Sequence, residues 1–160
     1  MLNRDVLSRP NVHLRVDGGR NFLLMKPKRY DVITADTIQP YNAGAGNLYS
    51  VEYFQLAANA LRDDGVVLQW IGHQPATQYK LIARTFLTVF PHTRVWADGQ
   101  FLLGTKRPLQ LPMGAYRERL KDPVFAHALA GAGIAGFGGL MRLYTAGPEG
   151  GYWTGAGRSE

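Results

Sequence analysis

Apolar and polar residues are arranged along the chain in patterns that predict three strands. Residues 30–35 and 66–71 are short runs rich in apolar and β-branched side chains, as in strands that are covered on both faces. Residues 12–16 alternate between apolar and polar side chains, and this period of two predicts a third strand.

Apolar residues recur at helical spacing in two segments, residues 50–61 and 77–90. In each segment they lie three or four residues apart, which places them on one face of a helix. Ser50 suits the N-cap of the first helix, because its hydroxyl can accept a hydrogen bond from a backbone N–H group. Residues 63–65, Asp-Asp-Gly, are predicted to end that helix.

The second half of the chain predicts a β-hairpin followed by short helices. Residues 93–97 and 101–105 flank Asp98 and Gly99, and an Asp-Gly pair tolerates the positive φ that tight hairpin turns require. Beyond Pro108 the pattern changes and predicts three short helices, in residues 113–120, 123–129 and 137–144.

Together these elements predict an α/β domain. Strands that alternate with helices form a mostly parallel sheet with right-handed crossovers, and the terminal hairpin adds one antiparallel edge strand. Residues 1–107 are assigned to this domain, and residues 108–146 to a helical extension that packs on it. Residues 147–160 are predicted to be a disordered tail.

Composition excludes several classes of site. The 160 residues include no cysteine, which excludes disulfides and thiolate metal sites. The four histidines have no metal-ligand spacing, so no metal is expected. The net charge is +6, but the basic residues are scattered, so no nucleic-acid partner is expected. The first residues lack the apolar core of a secretory signal, and we expect a cytoplasmic protein, or the cytoplasmic part of a membrane-fused one.

Asp36 is the strongest candidate for a functional residue. It follows the predicted strand 30–35 directly, and in open α/β sheets ligands bind at the carboxyl ends of the strands. Pro40, Gly44 and Gly46 then prevent regular structure and predict a loop. An aspartate in such a loop can also serve to accept hydrogen bonds from backbone N–H groups, so a structural role remains open.

Several segments, taken in order, resemble the spermidine synthase (polyamine aminopropyltransferase) family. The similarity extends from about residue 10 to residue 106. Within the family, the sequence most resembles the spermidine-synthase-like domains that are fused to membrane transporter segments. The segments are 17–23 (DGGRNFL), 30–33 (YDVI), 36–40 (DTIQP), 46–50 (GNLYS), 61–67 (LRDDGVV) and 89–92 (VFPH).

The resemblance implies a class I S-adenosylmethionine methyltransferase-like, Rossmann-like fold. It also implies transfer of an aminopropyl group from decarboxylated S-adenosylmethionine to an amine such as putrescine, without a metal. Asp36 would be the general base. The residues implied at the amine are Gln39, Tyr49 and Gln69, and those at the adenosyl donor are Asp17, Gly18, Gly19, Asp36 and Thr37.

The chain departs from the family pattern in three ways. Gln39 stands where the family has a second aspartate, and an amide supplies no charge opposite an ammonium group. Gly18 holds the place of the adenine-side aspartate, with Asp17 one residue earlier. The Gly-rich first half of the family pattern is not found, so N-terminal strands are predicted to be missing. We therefore expect weak or no activity from this chain alone, and self-association or pairing with a missing N-terminal segment.

Two other functions remain open at this point. Gln39 is compatible with an S-adenosylmethionine-dependent methyltransferase. The chain could also be a non-catalytic interaction domain of a larger membrane protein.

Overall fold

The computed structural model describes residues 6–25, 30–36, 45–110 and 112–147. These residues form six α-helices, five strands and two 3-10 turns (Val6–Ser8 and Ala45–Leu48). The helices are α1 (Gly19–Met25), α2 (Val51–Ala60), α3 (Ala76–Val89), α4 (Met113–Arg119), α5 (Pro123–Gly131) and α6 (Gly136–Arg142). The strands are β1 (Tyr30–Asp36), β2 (Leu61–Trp70), β3 (Arg94–Trp96), β4 (Phe101–Thr105) and β5 (Tyr144–Ala146).

The five strands form one sheet in the order β1-β2-β4-β3-β5. Strands β1 and β2 are parallel, whereas β4 is antiparallel to both β2 and β3, and β5 is antiparallel to β3. The α/β class and the antiparallel hairpin are as predicted. The hairpin differs in one respect: its second strand, β4, lies inside the sheet beside β2, so parallel pairing in the described sheet is confined to β1 and β2.

The hydrophobic core lies between one face of this sheet and helices α2 and α3. Phe54 of α2 and Phe86 of α3 are both fully buried, and their rings meet edge to face with centroids 4.9 Å apart. Phe90 packs on Phe86 at the same centroid distance. From the sheet, Leu102 and Val95 complete the cluster, with no exposed surface. This layer explains the helical spacing of apolar residues in the sequence.

The opposite face of the sheet is only partly covered by the described elements. Val32 in β1 is 59% exposed, although its strand is rich in apolar residues. Leu68, Trp70 and Phe101 on the neighbouring strands are half-buried. Asp36 lies at the end of β1, beside this face.

Both helices predicted at the centre of the chain are confirmed, and so is the hairpin turn. The hydroxyl of Ser50 accepts a hydrogen bond from the backbone N–H of Tyr53, as expected of an N-cap. In the hairpin turn, Ala97, Asp98 and Gly99 all have positive φ, at 51°, 53° and 92°. The short helices predicted at 113–120 and 123–129 correspond to α4 and α5.

The strand predicted at residues 12–16 is wrong. These residues form no regular structure, and Val16 is 98% exposed. A strand needs a hydrogen-bonding neighbour, and in the described sheet the strand β1 pairs only with β2. The alternating pattern alone could not reveal that no partner stands beside this segment.

Two predicted boundaries also need correction. Strand β2 begins at Leu61, directly after α2, so Asp-Asp-Gly lies inside the strand. Gly65 allows a close approach there, since an added Cβ would lie 3.0 Å from the carbonyl oxygen of Tyr30, and the strand register shifts at this point. The helix predicted at 137–144 ends at Arg142, and the next residues form β5. The predicted tail lies outside the described residues from 148 onward.

Candidate functional site

Asp36 ends strand β1, as the sequence predicted. Its neighbour Ala35 is buried toward the core, whereas Asp36 itself is exposed. Successive side chains of a strand point to opposite faces, so Thr34 and Asp36 share the face away from α2 and α3. The carboxylate therefore stands at the partly covered face of the sheet.

A row of residues across three strands forms a cavity beside this carboxylate. Asp36 is paired in register with Trp70 of β2, and Trp70 with Phe101 of β4. The cavity has a volume of about 200 Å³, and its lining is completed by Thr34, Ala35 and Leu68. Asp36 is the one charged group among these lining residues. An aromatic, largely apolar cavity with one carboxylate is suited to a ligand that carries an amine or another cationic group.

Trp70 and Phe101 form walls of this cavity, although neither was among the predicted site residues. From the sequence, Trp70 suited either stacking on a ligand or packing in the core, and residue 101 was predicted only to begin a strand of the hairpin. The signal that could have found them is the register between strands, because pairing Asp36 with Trp70 and Trp70 with Phe101 places all three at one edge of the cavity. That register depends on contacts between distant parts of the chain.

Gln69 is fully buried and its side chain binds the backbone near Asp36. Its Nε2 donates a hydrogen bond to the carbonyl oxygen of Trp70 at 2.9 Å, and lies 3.5 Å from the carbonyl oxygen of Ala35. This amide thus connects the ends of β1 and β2. The geometry gives Gln69 a positioning role; direct contact with a substrate stays a prediction.

Tyr49 lies apart from the Asp36 cavity. It is buried in the hydrophobic core and contributes to a second cavity of about 430 Å³. That cavity is also lined by Ser50 and by the α3 residues Gln78 and Ile82. Because the lining of the two cavities has no residue in common, the described residues do not bring Tyr49 and Asp36 into one site.

Two groups at the start of α2, next to Tyr49, have shifted pKa values. The pKa of Glu52 is lowered by a hydrogen bond from its own backbone N–H, then by the Ser50 hydroxyl, and also by the charge of Arg20. The pKa of Tyr53 is raised, first by burial and then by the neighbouring Tyr49. Both groups are structural in character, and neither lines the Asp36 cavity.

Asp17 and Gly18 lie in an exposed segment before α1, and Gly19 is the exposed first residue of that helix. The backbone N–H of Gly18 donates a hydrogen bond to Oδ1 of the preceding residue, Asp17, at 2.7 Å. Asp17, Gly18 and Gly19 line neither of the two cavities. Thr37 and Gln39 lie outside the described residues. Within the described part of the chain, no group of three His, Cys, Asp or Glu residues is arranged to hold a metal ion.

The chain is similar to polyamine aminopropyltransferases in sequence. Residues 1–89 match the sequence profile of the spermine/spermidine synthase domain. A polyamine aminopropyltransferase of Alkaliphilus oremlandii is 32% identical over 62 residues, which are 39% of this chain and 22% of that protein. The chain therefore spans only a minor part of this relative.

Two solved structures share the fold. A spermidine synthase in complex with the transition-state analogue AdoDATO aligns with a TM-score of 0.59 and 23% identity, covering 73% of this chain and 44% of that one. Human methyltransferase-like protein 13 in complex with SAH aligns with a TM-score of 0.53 and 17% identity, covering 72% of this chain and 56% of that one. At these identities the structures support the Rossmann-like fold. Since the family profile matches more than half of the residues, the chain belongs to the spermine/spermidine synthase family.

Proposed function

We propose that Asp36 is the general base of an aminopropyl transfer from decarboxylated S-adenosylmethionine to an amine such as putrescine. The observation that carries this proposal is the position of Asp36 at the end of β1, where it is the one charged group among the described residues that line a cavity walled by Trp70 and Phe101. Membership of the family supports the reaction class. The whole reaction is a proposal, because the chain covers only part of its relatives.

The proposed reaction needs a neutral amine and a proton acceptor. The amine nitrogen attacks the aminopropyl carbon next to the sulfonium, a C–N bond forms, and the C–S bond breaks, so that the sulfur leaves as a neutral thioether. The attacking nitrogen then carries an extra proton, which Asp36 accepts. The carboxylate also favours the cationic donor over the neutral thioether product. In this scheme Gln69 holds the backbone on which Asp36 is carried.

The remaining site roles rest on the family resemblance. Asp17, Gly18, Gly19 and Thr37 are proposed to contact the adenosyl donor. Gln39 and Tyr49 are proposed to contact the amine.

A methyltransferase is the second candidate. The fold is shared with human methyltransferase-like protein 13, and Gln39 removes the charge that would hold a diamine's second ammonium group. A methyltransferase would use S-adenosylmethionine itself. The two candidates therefore differ in whether the donor keeps its carboxylate.

Titration calorimetry of the chain with each donor separates these candidates. We expect decarboxylated S-adenosylmethionine to bind at least about tenfold more tightly than S-adenosylmethionine, and Asp36→Asn to weaken that binding. Asp31→Asn is the matched control, because Asp31 lies on the same strand, is exposed and pairs with Arg62 at 2.8 Å. Tighter binding of S-adenosylmethionine would favour the methyltransferase. Binding of neither donor would favour a non-catalytic interaction domain.

We further propose that the chain alone is a weak catalyst. Among the described strands, β1 pairs only on the side of β2, and Val32 on it is largely exposed. Pairing of β1, with a second copy or with a further segment of the family domain, would cover the edge beside Asp36. Light scattering tests this directly. A stable monomer with full transferase turnover would contradict it, whereas self-association together with weak turnover would support it.

A further inference from the structure

Helix α5 is apolar around its whole circumference, yet it is not buried. Apart from His127, its residues are apolar or glycine, and none of them is buried. Val124 is 77% exposed. A helix that is apolar on all sides normally lies inside a protein core or in a membrane, because water cannot solvate its side chains favourably. In this structure the apolar surface of α5 has no such cover among the described residues.

Helix α6 extends the apolar stretch along the chain, and its large side chains Phe137, Leu140 and Met141 are half-buried. The stretch Pro123–Arg142 contains an 18-residue window with a mean hydropathy of 1.5, and only 6% of that window is buried. By length and composition it could cross a membrane, but it folds as two helices of 9 and 7 residues, separated by a turn at residues 132–135. Each helix is well short of the ~20 residues that a span requires. The surface is therefore suited to lie in a bilayer interface rather than to cross it.

Aromatic contacts with α4 hold helices α5 and α6 in place. The ring of Tyr116 in α4 contacts Phe125 of α5 and Phe137 of α6, with centroids 6.2 Å and 5.6 Å apart. The guanidinium of Arg119 lies 5.5 Å from the centroid of the Phe125 ring. These aromatic contacts face inward, and Phe125, Ala126 and Leu129 are half-buried. The exposed residues of α5 are Pro123, Val124, His127, Ala128, Ala130 and Gly131, so His127 is the one polar side chain on its outer surface.

Cationic side chains stand at both ends of the apolar stretch. Arg117, Arg119 and Lys121 precede it, Arg142 ends it, and residues 123–141 contain no charged residue. Cations that flank an apolar helical surface are the arrangement by which proteins bind the anionic headgroups of a lipid bilayer.

The nearby acidic groups are already engaged. Glu118 pairs with Lys121 at 2.8 Å. Oδ1 of Asp122 accepts a hydrogen bond from the backbone N–H of Val124 at 2.8 Å and so caps α5. Among the described residues, no ion pair joins Arg117, Arg119 or Arg142 to a carboxylate, so the balance of charge favours an anionic ligand.

We propose that residues 112–143 form a membrane-surface site, in which α5 and α6 enter the interface of an anionic bilayer. Arg117, Arg119 and Arg142 lie at the level of the headgroups. A lipid bilayer fits better than a second copy of the chain, because lipid chains can cover an apolar helix on every exposed side, whereas a folded partner covers one face. This inference does not depend on the proposed transferase activity.

Co-sedimentation of the full chain with vesicles tests the proposal. We expect binding to vesicles of mixed phosphatidylglycerol and phosphatidylcholine, and weaker binding to phosphatidylcholine alone. Val124→Glu should weaken the binding at least about tenfold, since it replaces an exposed apolar contact with a charge. Arg142→Gln should weaken it about fivefold and reduce its sensitivity to salt. The control is Leu81→Glu, because Leu81 is 68% exposed on α3.

Four results would overturn the inference. They are no vesicle binding by the unchanged chain, binding that Val124→Glu leaves intact, equal loss in Leu81→Glu, and equal binding to both kinds of vesicle. Circular dichroism confirms that each variant is folded. Light scattering without lipid tests whether the surface instead joins two copies of the chain. The proposal is wrong if the unchanged chain is an oligomer that does not bind vesicles and Val124→Glu converts it to a monomer.

Discussion

Gly104 in strand β4 leaves no room for a side chain, and this predicts a measurable loss of stability in Gly104→Ala. A Cβ at this position would lie 2.7 Å from Cε1 of Phe86 and 2.7 Å from Cγ of Phe90. Ordinary contacts of a Cβ begin near 3.4 Å, so the rings and the strand would have to separate by about 0.7 Å. Gly104 is paired with Val67 of β2, and both phenylalanines are fully buried, so neither side can move freely.

The expected cost follows from this overlap. An extra methyl group in a well-packed core lowers the free energy of unfolding by about 1–3 kcal/mol. We expect about 2 kcal/mol here, because the new methyl group overlaps with two rings. For a chain of this size, the melting temperature should fall by roughly 4–8 °C. Phe86→Leu removes Cε1 and Cζ, two of the three ring atoms that lie closest to the new methyl group. The double variant Gly104→Ala with Phe86→Leu should therefore be less destabilised than the sum of the single variants, by about 0.5–3 kcal/mol.

Urea unfolding followed by circular dichroism measures these free energies. Gly114→Ala in α4 is the matched control, because no atom lies within 4 Å of its added Cβ. That variant should keep or slightly raise the stability, since alanine favours a helix by up to about 1 kcal/mol over glycine. If Gly104→Ala unfolded at the same urea concentration as the unchanged chain, the packing of β4 against α3 described above would be refuted. Additive single and double variants would refute the assignment to Phe86.

Three further predictions concern the helix start and the strand ends. Ser50→Ala should lower the free energy of unfolding by about 1 kcal/mol, because the Tyr53 N–H loses its cap, and urea unfolding measures this loss. The pKa of Tyr53 is raised above its ordinary 10.0, so as pH rises through 10 this tyrosine loses its proton in the unfolded state first, and the folded state should lose stability above that pH. Tyr53→Phe should reduce this loss, and urea midpoints measured across the same pH range test it. Gln69→Leu should cost about 1 kcal/mol, since the partly buried hydrogen bond to the carbonyl oxygen of Trp70 is lost, and an unchanged thermal transition would show that this bond is dispensable.

Local signals predicted the parts of the fold that local interactions determine. The N-cap at Ser50, the turn at Asp98 and Gly99 and the helical stripe that includes Phe86 depend on residues close in sequence, and each was found as predicted. Strand β5 was not predicted, because it is short and exists only through pairing with β3, about fifty residues earlier in the chain. The pattern of its own residues carries no sign of that partner.

In the candidate site, too, the features set by nearby residues could be predicted and those set by distant contacts could not. The placement of Asp36 at a strand end could be predicted, because a strand and the loop after it are both local features. The aromatic walls beside it could not, since Trp70 and Phe101 reach Asp36 only through the register of three strands. The burial of Gln69 agrees with the covered strand predicted at residues 66–71, whereas its hydrogen bond to the backbone of Trp70 could not be predicted from the sequence.

The segment that carries helices α4 to α6 follows β4 and contacts β3 at both of its ends. At its start, the side chain of Arg94 in β3 donates a hydrogen bond to the carbonyl oxygen of Leu109, and at its end β5 pairs with Val95 and Trp96. Its two ends are therefore fixed within three residues of each other on one strand. A change in the length of this segment need not alter the order of strands β1 to β4, so it is a suitable place for an insertion or an exchange of helices.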